Sequence, residues 1–162
     1  MSQSGIGSQI IAIVVALFSW VISQGQPRPT TSSRSSLTGL CAAIPNAAKG
    51  FTNQNVSKLI VKDLRVGSGA KAVVNKNIVV NYVGRLANGT QFDTSCQKTP
   101  FEFNLGQGQV IEGFDQGIAG MRIGGIRRII IPAKLGYGAS GAGGVIPPNA
   151  ALVFDVELID VK

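Results

Sequence analysis

A series of short β-branched runs in the C-terminal two thirds of the chain constrains its fold most strongly. Leu59 to Val66 and Ile78 to Leu86 are β-branched, partly alternating runs bounded by Gly or Asn, and both predict strands. Phe101 to Leu105 alternates apolar and polar residues and predicts a third strand, and two further strands are predicted over Arg127 to Ile131 and Ala151 to Val161. Phe114, Ile118 and Met121 are spaced i, i+4 and i+7, which predicts one short helix. Gly120 or Gly124 is expected to end that helix. Five or six strands around one short helix predict an α+β domain with a mostly antiparallel, curved sheet.

Gly and Pro predict turns and loops between these elements. Asn88-Gly89 is a tight-turn dipeptide directly after the second predicted strand. Gly136 to Pro148 contains too many Gly and Pro residues for a regular element. Its first six residues have the spacing G-x-G-x-x-G, but a dinucleotide site needs a helix directly after that motif, and Gly143-Gly144 follows instead. We therefore interpret the motif as part of a loop.

The chain of 162 residues contains no His and two Cys, which limits its chemistry. The lack of His excludes imidazole acid–base catalysis, Ser-His and Cys-His nucleophiles and every His-ligated metal site. Two Cys cannot form a four-thiolate zinc site, so we expect neither a metal nor a cofactor. The sequence predicts that Cys41 and Cys96 are free thiols. A disulfide between them would require an oxidising compartment and a linker that folds back onto the domain.

The net charge of +7 is unevenly distributed. Residues from Val80 to Lys162 include seven basic and seven acidic side chains, whereas Met1 to Val79 contains eight basic residues and one acidic residue, Asp63. A nucleic-acid-binding domain usually concentrates basic residues on its folded surface, so the neutral C-terminal half argues against nucleic acid as a partner. Arg127-Arg128 is a pair on one predicted strand, so the two side chains point to opposite faces, and we expect a solvated edge there.

The N-terminal part of the chain contains an apolar segment. Ile10 to Ile22 is an apolar run of 13 residues in which only Ser19 is polar. Extended to Ile6 and Ser23, the run reaches 18 residues, close to the ~20 that cross a bilayer core. The run therefore predicts a single-pass membrane anchor. A cleaved signal peptide is the alternative, because small residues near Ser23 permit cleavage there.

The chain thus divides into an apolar segment over residues 1–23, a linker rich in Ser, Thr and Pro over 24–57, and a folded domain over 58–162. Arg28 and Arg34 follow the apolar segment, and no basic residue precedes it. The positive-inside tendency then favours a membrane protein whose folded domain is cytoplasmic. Cleavage of a signal peptide would instead give a secreted or periplasmic domain.

Several separated motifs in the folded domain resemble a single family. They are Val80-Asn81-Tyr82-Val83-Gly84, Phe92-Asp93, Pro100-Phe101-Glu102-Phe103, Val110-Ile111-Glu112-Gly113-Phe114, Gly136-Tyr137-Gly138, Ile146-Pro147-Pro148 and Phe154-Asp155-Val156-Glu157-Leu158. Their order and spacing are similar to those of the FKBP-type peptidyl-prolyl cis-trans isomerases. The resemblance implies a half-barrel of antiparallel sheet wrapped around one short helix, with a ligand cleft between helix and sheet.

The resemblance also implies which residues form that cleft. Six would act on the prolyl peptide bond: Tyr82, Phe92, Asp93, Phe114, Tyr137 and Phe154. Five more would contact the substrate: Phe101, Val110, Ile111, Val145 and Ile146. Phe114 would be the floor under the prolyl ring, and the walls would be Tyr82, Phe92 and Phe154. The Tyr137 hydroxyl and the Ile111 backbone N–H would donate to substrate carbonyls, and Asp93 would orient polar groups at the rim.

Three departures from the family pattern affect this site. Phe114 stands where many members have Trp, so the pocket is expected to be roomier and macrolide affinity weaker. The segment Ser95 to Thr99 is one residue short and lacks the Arg that often pairs with the motif Asp, which leaves Lys98 as a candidate partner of Asp93. The loop Ala139 to Gly144 carries only small side chains, so less substrate contact is expected there.

The expected reaction suits a chain without His. Rotation of an X-Pro bond crosses a barrier of ~18–20 kcal/mol because amide resonance is lost, yet no bond is made or broken. A twisted amide has less charge separation than a planar one, so a dry apolar pocket favours it relative to water. We therefore expect a monomeric prolyl isomerase that acts on proline-containing clients. The alternative is a membrane-tethered module that binds such a partner, or a rapamycin-type macrolide, with little or no catalysis.

Overall fold

The computed structural model of the chain describes residues 39–43, 52 and 56–162. The predicted apolar segment Ile10 to Ile22 and most of the predicted linker lie outside these residues. Among the residues that are described, no helix has the length and apolar character needed to cross a membrane.

The described residues form six strands and two short helices. The elements are α1 (Leu40–Ala43), β1 (Ile60–Arg65), β2 (Asn77–Leu86), β3 (Gln91–Thr94), β4 (Phe101–Asn104), α2 (Glu112–Ile118), β5 (Ile126–Ile131) and β6 (Leu152–Val161). The five predicted strands and the predicted helix are confirmed, with small shifts at their ends. The sequence analysis missed β3, because three of its four side chains are polar and its single Phe forms no apolar run. The loop after β5 contains two 3₁₀ turns, Ala133–Leu135 and Gly138–Ser140, and no helix follows the glycine motif.

The strands form one antiparallel sheet, as predicted. The strand order is β1-β5-β6-β2-β3, and β4 pairs with the N-terminal half of β2 beyond the end of β3. The long strands β2 and β6 lie next to each other at the centre, with Tyr82 opposite Val156 and Gly84 opposite Phe154. Register shifts occur in three of the strand pairs and increase the local bend and twist. The fold is therefore the predicted curved antiparallel sheet with one short helix against it.

The inner face of the sheet, which packs against α2, contains the main hydrophobic core. Because side chains alternate along a strand, Tyr82 in β2 and Phe154 in β6 both point to this face. Two glycines in α2 bring the helix close to β5. A Cβ at Gly113 would lie 2.3 Å from Cγ2 of Ile131, and one at Gly117 would lie 2.5 Å from Cγ2 of Ile129. The close approach buries the other side of the helix in the core and sets the depth of the predicted cleft floor.

The outer face of the sheet, opposite α2, is covered in part by residues that precede the predicted domain. Leu40 is 2% exposed and packs with Val83 and Ile126. Val56 packs with a second group on the same face that includes Ile130 and Val153. The domain boundary at residue 58 stays a prediction. Parts of the predicted linker on its N-terminal side nevertheless contribute to the packing of this face.

The outer face also contains a buried ionic cluster that the sequence analysis did not predict. Asp155 is fully buried and accepts hydrogen bonds from Arg85, at 3.1 Å, and from Nε of Arg128, at 2.7 Å. The expectation of a solvated edge at Arg127-Arg128 was wrong, because β5 lies between β1 and β6 and is not an edge strand. Arg127 instead pairs with Asp63 of β1.

Cys41 and Cys96 form a disulfide with a Cα–Cα distance of 5.5 Å. The expectation of two free thiols was therefore wrong. The reason is tertiary: α1 folds back onto the outer face, and this brings Cys41 to the turn that follows β3. The N–H of Leu40 donates to a carboxylate oxygen of Glu157 at 3.0 Å, which ties the same segment to β6.

Candidate active site between the helix and the sheet

Five predicted aromatic residues meet at the inner face, between α2 and β2–β6. The ring centroid of Tyr82 lies 5.9 Å from that of Phe101, 6.0 Å from that of Phe114 and 6.1 Å from that of Phe154. Phe92 lies 5.6 Å from Phe154, edge to face. Aromatic pairs in proteins prefer such separations and tilts. The structure therefore gathers the predicted floor and walls in one cluster.

The rings of this aromatic cluster differ in burial. Tyr82, Phe114 and Phe154 are buried to within 2% of full burial, whereas Phe92 and Phe101 are only partly buried. The cluster therefore has a closed base formed by the first three rings and a partly open side formed by the last two. Such an arrangement can accept an apolar ring while excluding water from its deepest part.

Gly84 makes this packing possible, although the sequence analysis did not single it out as a site residue. Gly84 lies between Tyr82 and Leu86 on the inner face of β2. A Cβ at this position would lie 2.8 Å from Cζ of Phe92 and 2.9 Å from Cε1 of Phe154. The missing side chain therefore leaves the space that two walls of the cleft occupy. The sequence signal was the glycine that interrupts an otherwise β-branched run.

Asp93 is held by two donors at the rim of the cluster. The Tyr82 hydroxyl donates to Oδ2 at 2.5 Å, and the Thr94 backbone N–H donates to Oδ1 at 2.7 Å. Burial raises the pKa of Tyr82 above its ordinary value, and the hydrogen bond to Asp93 adds to the rise. Lys98 is exposed and forms no ion pair with Asp93 within the described part of the chain. Tyr82 thus takes the place that the sequence analysis offered to Lys98, because the pairing of β3 with β2 sets Asp93 beside it.

Tyr137 lies between the two 3₁₀ turns, and its hydroxyl is a buried donor without an acceptor. No described residue is a hydrogen-bond partner for this oxygen. Burial raises the pKa of Tyr137 to about 12, and the negative charge of Asp93 contributes to that rise. Tyr137 therefore keeps its proton at neutral pH. Buried polar groups normally have partners, so an unpaired hydroxyl here is available to a ligand.

The predicted substrate-contact residues occupy different environments. Val110, Ile111 and Ile146 are buried in the same core as the aromatic cluster, and Phe101 packs against it. Ile111 immediately precedes α2, and its carbonyl accepts the N–H groups of Phe114 and Asp115. Its own N–H has no hydrogen-bond partner among the described residues, because the N–H groups at the start of a helix have no acceptor within the helix. Val145 is 36% exposed and lies outside this core, so the structure does not bring it into the cluster.

A cavity lies away from these residues. It has a volume of about 110 Å³ and lies between β1 and the loop that follows α2. Its lining includes Asp63, Arg65, Arg122 and Arg127 but none of the predicted site residues. The guanidinium of Arg127 already donates to Asp63 and to the carbonyls of Gly117 and Ala119 at the C-terminal end of α2. The aromatic cluster, which combines apolar rings with one unpaired donor, is the stronger candidate for a prolyl site.

Comparison with known proteins identifies the family of the chain. The family model of the FKBP-type peptidyl-prolyl cis-trans isomerases matches residues 68–159. The FK506-binding protein of Neisseria meningitidis serogroup A is 52% identical over 107 residues, which cover 65% of this chain and 98% of that protein. The peptidyl-prolyl cis-trans isomerase FKBP53 of Arabidopsis thaliana is 50% identical over 107 residues, which cover 64% of this chain and 22% of that protein.

Solved structures show the same architecture. The crystal structure of AtFKBP13 matches with a TM-score of 0.60 and 41% identity, over 64% of this chain and 93% of that one. FkpA from Escherichia coli matches with a TM-score of 0.59 and 40% identity, over 64% of this chain and 48% of that one. The half-barrel, the aromatic cleft and the family match agree, and this chain belongs to the FKBP-type peptidyl-prolyl cis-trans isomerases.

Proposed function

We propose that the cleft isomerises X-Pro bonds in proline-containing client proteins by desolvating the twisted amide, with Phe114 under the prolyl ring and Tyr137 as donor to a substrate carbonyl. The observation that carries this proposal is the buried, unpaired hydroxyl of Tyr137 next to an otherwise apolar cluster. An apolar surrounding favours the twisted amide because its charge separation is smaller than that of the planar amide.

Asp93 supports this mechanism without contacting the reacting bond. Its two carboxylate oxygens are occupied by Tyr82 and Thr94, and its charge opposes ionisation of Tyr137. The pair Tyr82–Asp93 therefore fixes one wall ring, and the charge of Asp93 adds to the rise that burial causes in the pKa of Tyr137. The backbone N–H of Ile111, at the N-terminal end of α2, is a second donor that is suited to another substrate carbonyl.

The test is a measurement of exchange between cis and trans forms of an Ala-Leu-Pro-Phe peptide by NMR, with wild-type protein and with Tyr137→Phe. Wild-type protein should accelerate exchange well above the uncatalysed rate. Tyr137→Phe should lower kcat/KM by roughly 2- to 12-fold, the value of one neutral hydrogen bond of ~0.5–1.5 kcal/mol. Lys134→Ala, an exposed change in the neighbouring turn, is the control. An uncatalysed rate with wild-type protein would leave only the binding-module alternative.

The same cleft is suited to a rapamycin-type macrolide, because such a ligand places an apolar ring, next to an amide, in a prolyl pocket. Phe114 offers less ring surface than the Trp found in many family members, so we propose weak binding. A fluorescence titration with rapamycin, compared between wild-type protein and Phe114→Trp, tests this. Tighter binding by the variant is expected, and equal affinity would contradict the role of Phe114 as the floor.

We further propose that the folded domain works in an oxidising compartment, either tethered by the N-terminal segment or released from it. The Cys41–Cys96 disulfide supports this location, because structural disulfides persist in oxidising compartments and are rare in the cytosol. The charge distribution of the sequence favours a cytoplasmic domain, and this proposal departs from that expectation. Fractionation and protease protection of the full chain with a C-terminal tag tests it. A membrane-bound domain protected on the cytoplasmic side would contradict it.

A further inference from the structure

We infer that the Cys41–Cys96 disulfide is a redox-sensitive positioning device for the Tyr82–Asp93 pair, and that its reduction by a dithiol lowers isomerase activity. The inference rests on the roles proposed above for this pair. Neither cysteine belongs to the predicted cleft, and Cys41 lies outside the residues matched by the family model.

The first step is the short path from Cys96 to Tyr82. The N–H of Cys96 donates to Oγ1 of Thr94 at 3.0 Å, and this hydroxyl donates to the carbonyl of Tyr82 at 2.9 Å. Ser95 donates its N–H to the same carbonyl at 3.0 Å and accepts the Tyr82 N–H through Oγ at 2.9 Å. Both backbone polar groups of Tyr82 are therefore held by the two residues that directly precede Cys96.

The second step concerns the strand that carries Asp93. β3 has four residues and, among the described strands, lies at the edge of the sheet and pairs with β2 alone, through three residue pairs. A short edge strand with few ladder contacts is a region of low local stability. The turn that follows it, Gln97 to Thr99, is exposed. The disulfide at Cys96 therefore restrains a part of the site that the sheet alone holds weakly.

The third step is the anchor at the other end of the disulfide. Leu40, next to Cys41, is buried against Val83 and Ile126, and its N–H is bonded to Glu157. Glu157 is itself paired with Arg65 at 2.8 Å. Cys41 is thus attached to the central strands β2 and β6 and to β5, whereas Cys96 lies in the turn after the edge strand β3. The disulfide therefore connects the centre of the sheet to the turn after β3. The residues directly before that turn hold Tyr82 and include Asp93.

The chemistry required is ordinary thiol–disulfide exchange. Cys41 and Cys96 are both partly exposed, so a thiolate can reach the bond. A thiolate of the dithiol attacks one sulfur and releases the other as a thiolate, which takes up a proton, and the second thiol of the reagent then resolves the mixed disulfide. Two electrons and two protons pass to the protein, which gains two thiols, and the dithiol becomes a disulfide. The reaction leaves Leu40 and its bond to Glu157 in place but frees the turn after β3.

The experiment compares the oxidised full-length protein with the same protein reduced by dithiothreitol, in the peptide exchange assay by NMR. We expect kcat/KM to fall about tenfold on reduction, because small misplacements of site groups cost rate, and to recover on reoxidation. The amide resonances of Tyr82 and Asp93 should move, while that of Asn104, in β4, should not. Cys41→Ser/Cys96→Ser should match the reduced wild-type protein and should not respond to dithiothreitol.

The possible outcomes separate this inference from the isomerase assignment. Activity of the oxidised protein tests the assignment, whereas the difference between redox states tests the positioning role. Equal kcat/KM in both states with unmoved Tyr82 and Asp93 resonances would overturn the inference. Loss of far-UV circular dichroism on reduction would also overturn it, since the bond would then only stabilise the fold. If neither state is active, the resonances of Tyr82 and Asp93 still decide whether the disulfide positions the pair.

Discussion

The hydroxyl of Tyr82 donates a hydrogen bond to Asp93 across the pair of strands β2 and β3, and this contact joins the buried base of the cleft to its polar rim. The Tyr82 ring packs against the rings of Phe114 and Phe154, so the same side chain forms part of the apolar wall. Asp93 in turn contributes to the raised pKa of Tyr137. The hydrogen bond thus links wall and rim, and the charge of Asp93 acts on the donor Tyr137.

Replacement of Phe114 should affect the reaction more than replacement of another buried ring in the same core. Phe114→Leu removes the ring under the substrate, so kcat/KM should fall about tenfold or more. Phe103→Leu is the matched control, because Phe103 is 3% exposed and lies 5.9 Å from Phe114 but is not a predicted wall. Each change should also destabilise the domain, by roughly 1–3 kcal/mol. Equal loss of activity in the two variants, measured under conditions where both are folded, would remove Phe114 from the site.

Addition of one methyl group at Gly84 should displace the walls of the cleft. In Gly84→Ala the new Cβ would meet Phe92 and Phe154 at less than 3 Å, so one or both rings must shift. We expect a drop in kcat/KM together with a stability loss of about 1–3 kcal/mol. Gly69→Ala is the control, since its Cβ would lie 2.7 Å from Cβ of Ile123, away from the aromatic rings. If Gly69→Ala lowers activity as much as Gly84→Ala does, the effect is one of stability alone.

Removal of Asp155 should cost far more stability than removal of an exposed acidic partner. Asp155→Ala would leave Arg85 and Arg128 without the fully buried carboxylate that pairs them, a loss of about 3–5 kcal/mol. Asp63→Ala breaks the pair with Arg127, in which Asp63 is 41% exposed, and should cost at most about 1 kcal/mol. Urea unfolding of both variants measures the difference. Similar midpoints for the two would mean that the buried cluster contributes no more than a surface pair.

The stability of the domain should fall at high pH because of Tyr137. Its pKa in the folded protein is about 12, whereas an unfolded tyrosine ionises near 10. Between these values the folded state keeps the proton and the unfolded state loses it, so rising pH favours unfolding. The slope for this group reaches about 1.4 kcal/mol per pH unit. Urea unfolding at intervals from pH 8 to 11.5 should show a shallower decline for Tyr137→Phe, and parallel curves would contradict the raised pKa.

The sequence predicted most of the secondary structure because periodicity is a local property. β-branched runs or an alternation of apolar and polar residues marked five of the six described strands, and the spacing of Phe114 and Ile118 marked α2. β3 was missed because three of its four residues are polar. The resemblance to the family implied the cleft residues, and the structure brings all of them except Val145 to the aromatic core or its rim. Their individual roles stay predictions.

Only the tertiary structure decided which partners these residues have. The sequence left the partner of Asp93 open, with Lys98 as a candidate, and predicted free thiols for Cys41 and Cys96 and a solvated edge for Arg128. The fold instead placed Tyr82 beside Asp93, joined the two cysteines and buried Arg128 against Asp155. Each of these pairs depends on which strands are neighbours and on what covers the outer face of the sheet. Those relations arise between segments far apart in the chain, so local pattern predicts the elements, whereas strand order and packing determine their contacts.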